Sequence, residues 1–195
     1  MTAPVMHTPL EHRAPLAADG KVIEMAEAPL SGKLIVRIDP AIAPFDPPAA
    51  CRFRTREGGD VLWLGPDEWM FLTALDALAD TRMELEAACA GRHHQIVDVT
   101  DYYTTIRLRG PKAADALMKL TTLDLHPGVF APGSVAGSNF AKAAAWLMRR
   151  EDAWEIIVRW SMADYLWCML AGAGREFGLP VQEPAYGGSG LRHRP

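Results

Sequence analysis

VLWLGPDEWMFLTALDALADTRMELEAACAG, residues 61–91, and AAWLMRREDAWEIIVRWSMADYLWCMLAGAG, residues 144–174, share one plan: strand, charged turn, strand, helix, glycine. In the first copy, residues 61–64 and 69–72 are continuous apolar runs, the pattern of strands buried on both faces. Gly65-Pro66-Asp67-Glu68 between them reads as a β-turn, with Pro66 supplying the fixed φ of the second turn position. Asp67 and Glu68 stand between two tryptophans and raise the question of an acid–base pair. Turn-tip carboxylates are normally solvated, however, and adjacency in sequence does not aim two side chains at one atom, so the turn is read as structural. The helix of this copy covers about 75–90, with Leu78, Leu85, Ala88 and Cys89 on one face and Gly91 as its stop. The second copy turns near Arg150, Glu151 and Asp152, and Trp154, Ile156, Val158 and Trp160 form one face of its returning strand. Its helix opens with Ser161 and Asp164 as a capping box and buries Met162, Leu166, Met169, Leu170 and Ala173. Two such units predict an α+β fold of two pseudo-repeated lobes, antiparallel strands with helices on one side.

The rest of the chain completes the lobes. KLIVRI, 33–38, alternates as a strand. DPAIAPFDPPAA, 39–50, carries Pro40, Pro44, Pro47 and Pro48 and is a connecting loop. HHQIVDV, 93–99, returns as a strand. Thr104, Ile106 and Leu108 alternate with Thr105, Arg107 and Arg109 in another, which Gly110 breaks. Pro111 is placed at the first position of a helix whose buried stripe is Ala113, Ala116, Leu117 and Leu120. TTLDLHPGVFAPG, 121–133, is a loop. The expected organisation is an extended arm over 1–30, a two-lobed domain over 31–177 and a Gly/Pro-rich tail over 178–195. Both ends lack apolar periodicity and are expected to order only against a partner.

With 195 residues the chain can bury a substantial core. It is 49% apolar and 23% charged with a net charge of −4, and lacks the basic excess of a nucleic-acid binder. Cys51, Cys89 and Cys168 are dispersed and odd in number, which fits reduced thiols better than a disulfide framework. The first residues hold no apolar core of signal-peptide length, and no run approaches the ~20 apolar residues of a membrane span. These features point to a cytoplasmic protein with no membrane partner.

Familiar chemical constellations are missing. Cys89, His93 and His94 give C-x3-H-H without a second ligand pair, and adjacent histidines on a strand face opposite ways; no metal site is expected there or at His126. Ser134, Ser138 and Ser161 belong to no G-x-S-x-G elbow. GSVAGS and AYGGSGLR match neither a Walker A loop nor a dinucleotide fingerprint.

VDVTDYYTTIRLRGPKAADALMKLTTLDLHP, 97–127, is the informative segment. Its acidic strand, Gly-Pro-closed strand, Ala/Leu helix and L-T-T-L-D ending resemble the amino-terminal domain of folate-dependent aminomethyltransferases. LGPDEW, 64–69, and LDLHPGVFAPG narrow the resemblance to the gamma subunits of heterotetrameric sarcosine oxidases, over about residues 60–177. The departures bear on chemistry. Ala141, Ala143, Ala144 and Ala145 stand where the transferases carry an acidic residue that handles the folate-linked amine. DVTDYY lacks their Ser-His, and the KGCYxGQE signature of the iron–sulfur-repair relatives is missing. The resemblance therefore implies a retained fold without catalytic or cofactor-binding residues of its own. It implies a structural subunit beside alpha, beta and delta subunits that carry FAD, FMN and NAD. The assembled oxidase would demethylate sarcosine, or another N-methyl amine, to its product with tetrahydrofolate as one-carbon acceptor. The alternative is a free-standing folate-binding protein using Asp98, Asp101, Tyr102 and Tyr103. Against it, the two aspartates can simply close a strand end while the tyrosines pack.

Overall fold

The computed structural model describes residues 7–183. In chain order the elements are β1 (Leu16–Ala17), β2 (Glu24–Glu27), β3 (Gly32–Ile38), β4 (Phe53–Arg56), β5 (Gly59–Gly65), β6 (Glu68–Thr73) and α1 (Leu78–Cys89). There follow β7 (His94–Asp98), β8 (Tyr103–Arg109), α2 (Ala113–Met118), β9 (Val135–Phe140), β10 (Ala143–Arg149), β11 (Ala153–Arg159) and α3 (Trp160–Gly174).

The strands form two antiparallel sheets, ordered β4-β5-β6-β3-β7 and β9-β10-β11-β8-β2-β1. Position by position the sheets correspond: an edge strand, the two strands of the repeated hairpin, the strand that precedes them in sequence, and a flanking strand. In the five-stranded sheet the flanking strand is β7, which follows the lobe's own helix. In the six-stranded sheet that place is taken by β2 from the chain's beginning, antiparallel to β8. The pseudo-repeat is therefore a repeat of topology, and its second copy is completed by the amino-terminal segment.

That completion corrects the expectation of an extended arm for residues 7–30; residues 1–6 lie outside the described residues. Leu10, Leu16, Ile23 and Met25 are buried in the core of the six-stranded sheet. Their strands are only two and four residues long, too short for periodicity to register. The turn before β2 packs so closely on the β8–α2 junction that Lys112 N donates to the Val22 carbonyl. A Cβ at Gly110, whose φ is +98°, would lie 2.5 Å from that same carbonyl oxygen, so glycine is required there. Arg13 fastens the segment further, reaching Asp164 on α3 at 2.7 Å, Gln182 at 3.1 Å and the Glu183 carbonyl at 2.7 Å. Leu179 is buried as well, so the tail contributes to the core before leaving the described residues; the rest of the predicted tail, 184–195, lies outside them.

Local differences from the expected pattern have local causes. Ser161 lies inside α3 rather than at its cap, and Arg159 occupies the cap position; Asp164 is engaged by Arg13 and His12 instead. Trp160 opens α3 rather than ending β11. The buried face of α3 includes Ala163, Leu166, Trp167 and Leu170, with Met162 and Met169 only partly covered. Thr81, Leu85 and Cys89 are the buried residues of α1, and Ala88 is exposed. Pro111 sits in the turn before α2, with Lys112 at the cap.

The layers are α1, five-stranded sheet, six-stranded sheet, then α2 with α3. Leu34, Val36, Trp69 and Phe71 face α1. Ile106, Leu108, Ile156 and Val158 face the other helices. The remaining faces meet each other through Leu62, Met70, Met148 and Ile157. Each central strand thus has no solvent face, which is why β6 reads as an unbroken apolar run and β11 as one interrupted only by Glu155 before Arg159. At one edge the sheets are also stitched by backbone, since Phe53 N donates to Gly133 O and Val135 N to Cys51 O.

Charge is also trapped between the sheets. Glu155, 3% exposed, accepts from Arg107 at 2.6 and 2.9 Å on the neighbouring strand and from Arg150 at 2.7 Å. Arg150 spans the gap to Asp60 on β5 at 2.7 Å, and Thr55 donates to the same carboxylate at 2.7 Å. Burial opposes the Arg150 charge, but the Asp60 hydrogen bond and the Glu155 charge outweigh it and raise its pKa. Two cations and two carboxylates leave the cluster neutral. Removing one member strands the others, and breaking a buried ion pair costs about 3–5 kcal/mol. Glu155→Ala is expected to lose that much in denaturant unfolding; a loss under about 1 kcal/mol, the range of exposed pairs, would contradict this.

Lys33 on β3 is 1% exposed, with its Nζ 3.0 Å from the Ser31 carbonyl. Burial lowers its pKa from 10.5 to about 8, with Glu27 opposing part of the shift. Between those values the unfolded chain binds more protons than the folded one, so stability rises with pH across the window, by about 3 kcal/mol. Lys33→Met should therefore be more stable than the wild type at neutral pH, with the difference shrinking as pH climbs from 8 to 10.5. A constant difference over that range would argue against a buried ammonium. Deleting residues 1–30 strips five buried apolar side chains, Leu10, Leu16, Ala18, Ile23 and Met25, from one core and should abolish cooperative thermal melting; a truncated chain that melts at the wild-type midpoint would restore the arm.

Candidate functional site

The four residues considered for a folate crease are neighbours in sequence, and one of them, Tyr103, lines a cleft. Asp98 ends β7, is exposed, and accepts from Thr100 N at 2.9 Å. That Asx turn, with Lys33 N donating to Thr100 Oγ1 at 3.0 Å, closes the strand end. Asp101 is exposed on the short 3-10 turn that follows. Tyr102, 47% exposed, packs edge-on against Tyr103 at 4.8 Å, with the Arg159 guanidinium 5.4 Å from its ring centre. Tyr103 is buried and meets Trp146 edge-on at 5.7 Å; burial, reinforced by Tyr102, pushes its phenol up.

Tyr103 and Trp146 line a cleft of about 460 Å³ at one end of the sheet–sheet interface, with Leu64, Ser138, Asn139 and Arg159. Ala144 and Ala145 also line it. Its described lining contains no Asp, Glu or His. Arg159 can attract an anion and the rings can stack on a flat group, but no side chain of the lining can exchange protons near neutral pH.

Asp67 lies at the tip of the β5–β6 hairpin, where it is paired with Arg37 at 2.9 Å. His93 is exposed, and His94 contacts the Arg92 carbonyl at 2.8 Å. No cluster of metal-ligating side chains occurs among the described residues. Cys89 and Cys168 are buried thiols pushed up by burial. Among the described residues no helix is long and apolar enough to cross a membrane.

A larger hollow, about 770 Å³, lies on the outer side of the six-stranded lobe. It brings together the two strings GPKAADALM and LDLHPGVF. Asp124 accepts from His126 N at 2.9 Å, His126 Nδ1 accepts from Gly128 N at 3.1 Å, and the Val129 and Phe130 amides donate to the His126 carbonyl. This self-bonded turn presses Phe130 onto Trp154, the rings stacked 5.9 Å apart, while Arg149 covers the same indole at 4.5 Å. Neither this groove nor the Glu155 cluster follows from the pattern of apolar residues along the chain. The available signals were a methionine and a valine with no partner in their segments, and charges at inward positions of β8 and β11.

The fold is that of the aminomethyltransferases. Aminomethyltransferase T of the Bartonella henselae glycine cleavage system superposes with a TM-score of 0.58 over 86% of this chain and 48% of that one, at 18% identity. Similarity is greater to a chain of the heterotetrameric sarcosine oxidase from Corynebacterium sp. U-96: TM-score 0.78 and 26% identity, covering 91% of this chain and 99% of that one. The sarcosine oxidase gamma subunit of an Arthrobacter species is 32% identical over 126 residues, 64% of this chain and 61% of that subunit. That of Corynebacterium sp. strain P-1 is 34% identical over 122 residues, 62% and 59% respectively. The matched region thus spans about three-fifths of those relatives. The model of the sarcosine oxidase, gamma subunit family matches residues 43–176, and this chain belongs to that family.

Proposed function

We propose that the chain is the gamma subunit of a heterotetrameric sarcosine oxidase, a cytoplasmic assembly component with no catalytic residue of its own. The observation that carries this is the end-to-end correspondence with one chain of such an oxidase, 91% of this chain against 99% of that one. The cleft chemistry agrees: where a transferase needs a proton-handling acid, this lining offers alanines, a buried phenol and a guanidinium. The partners are alpha, beta and delta subunits. FAD, FMN and NAD reside on those partners, and tetrahydrofolate accepts the one-carbon unit released as sarcosine becomes glycine. Asp98, Asp101, Tyr102 and Tyr103 are structural in this reading, not cofactor ligands.

Purified alone, the chain is expected to be colourless, to oxidise no sarcosine, and to bind tetrahydrofolate at millimolar concentration or not at all in calorimetry. Co-expressed with the three partner subunits, it should co-purify with a yellow, sarcosine-oxidising complex. Flavin retained by the single chain, or micromolar folate binding, would sink this reading and favour a free-standing folate-binding protein.

A further inference from the structure

The hollow on the outer side of the six-stranded lobe combines two features that do not arise from packing alone. Its floor is apolar: Pro111, Ala114, Met118, Leu125, Phe130 and Trp154. Met118, at its edge, is 49% exposed, and Val129 on the adjoining turn is 63% exposed. Large apolar side chains left open beside a concave surface mark a contact site more than a solvated one.

Its rim is acidic. Asp115, Asp124, Glu151 and Asp152 line it from three different segments. Two of these are neutralised, Asp115 by Lys112 at 2.9 Å and Asp152 by Arg109 at 3.2 Å. Asp124 accepts only a backbone amide, and Glu151 has no cationic partner among the described residues. Arg149, the one lining arginine, lies flat on Trp154. An apolar floor between two carboxylates without cations is complementary to an apolar side chain flanked by Lys or Arg.

We propose that this groove receives a segment of a partner subunit that carries an apolar anchor flanked by basic residues. The proposal rests on the reading of the chain as an assembly subunit, and it names the surface that makes the contact. The floor supplies the anchor pocket with its stacked aromatic pair, and the carboxylates fix the orientation of the incoming segment and raise its rate of encounter.

Three arms test it. First, the full set of subunits is co-expressed with the wild type, with Asp124→Asn/Glu151→Lys, in which the asparagine keeps the acceptor for the His126 amide, and with Glu84→Lys on the exposed face of α1 as a control. The groove variant should recover at least tenfold less complex at an unchanged melting temperature, and the control should match the wild type. Equal recovery from the groove variant overturns the proposal. Second, Met118→p-benzoylphenylalanine in the assembled complex should cross-link to an apolar peptide of a partner subunit with adjacent Lys or Arg. Cross-links to this chain's own carboxy-terminal residues, to a second copy of it, or to an acidic segment overturn the proposal. Third, the isolated chain is titrated with acetyl-RRLFRR-amide and acetyl-EELFEE-amide. The basic peptide should bind at least tenfold more tightly, and lose that advantage in the groove variant. If neither peptide binds below millimolar concentration the groove proposal fails, while co-purification of the wild type separately decides whether the subunit reading stands.

Discussion

The carboxylate of Glu155 lies in the gap between two sheets, where desolvation would make it costly unless it were compensated. Two guanidiniums compensate it, and one of them, Arg150, reaches across to Asp60 on the facing sheet. The cluster therefore sets how the lobes stack. A shift of one sheet along the other would separate Arg150 from Asp60 and leave a buried charge unmatched. The apolar contacts around it, among them Leu62 against Ile157, supply most of the burial but are less directional. The backbone stitch between Phe53 and Gly133 holds the same edge. One lobe cannot be treated as a unit that hinges freely on the other.

A rigid stack of this kind has consequences for what the chain can do. The cleft beside Tyr103 and Trp146 is framed by strands of both sheets, so it cannot open to admit a large ligand without disturbing their registration. Its described lining contains no Asp, Glu or His. The acidic, aromatic-floored groove lies on the helix side of the six-stranded lobe, between α2, the turn that follows it and the β10–β11 hairpin tip. The chain belongs to the sarcosine oxidase gamma subunit family, and its fold is shared with an aminomethyltransferase.

Much of the architecture was legible because central strands buried on both faces write their identity plainly. VLWL, WMFL and WEIIV could be little else once a charged turn separated them from their neighbours. The repeated order of strand, turn, strand and helix held, and the topology of the two sheets matches more closely than residue identity suggested. The amino-terminal strands escaped because Leu16, Ile23 and Met25 are anchors spaced by turns, without a period to detect. The cap at Ser161 was misplaced because α3 starts a residue earlier and Asp164 binds Arg13 across the fold. Long-range partners of that kind also hid the Glu155 cluster: Arg107, Arg150 and Asp60 are far apart in sequence, and only the stacking of two sheets brings them together.

The central claim is that two sheets behave as one body locked by buried charge and shared apolar faces. Native-state hydrogen exchange at increasing denaturant tests it most directly, since each amide reports the free energy of the opening that exposes it. If the claim is right, amides of β5, β6 and β3 converge with those of β8, β10 and β11 on one global unfolding free energy. If the five-stranded sheet instead exchanges through its own opening at a distinctly lower free energy, the lobes are separable and the lock does not exist.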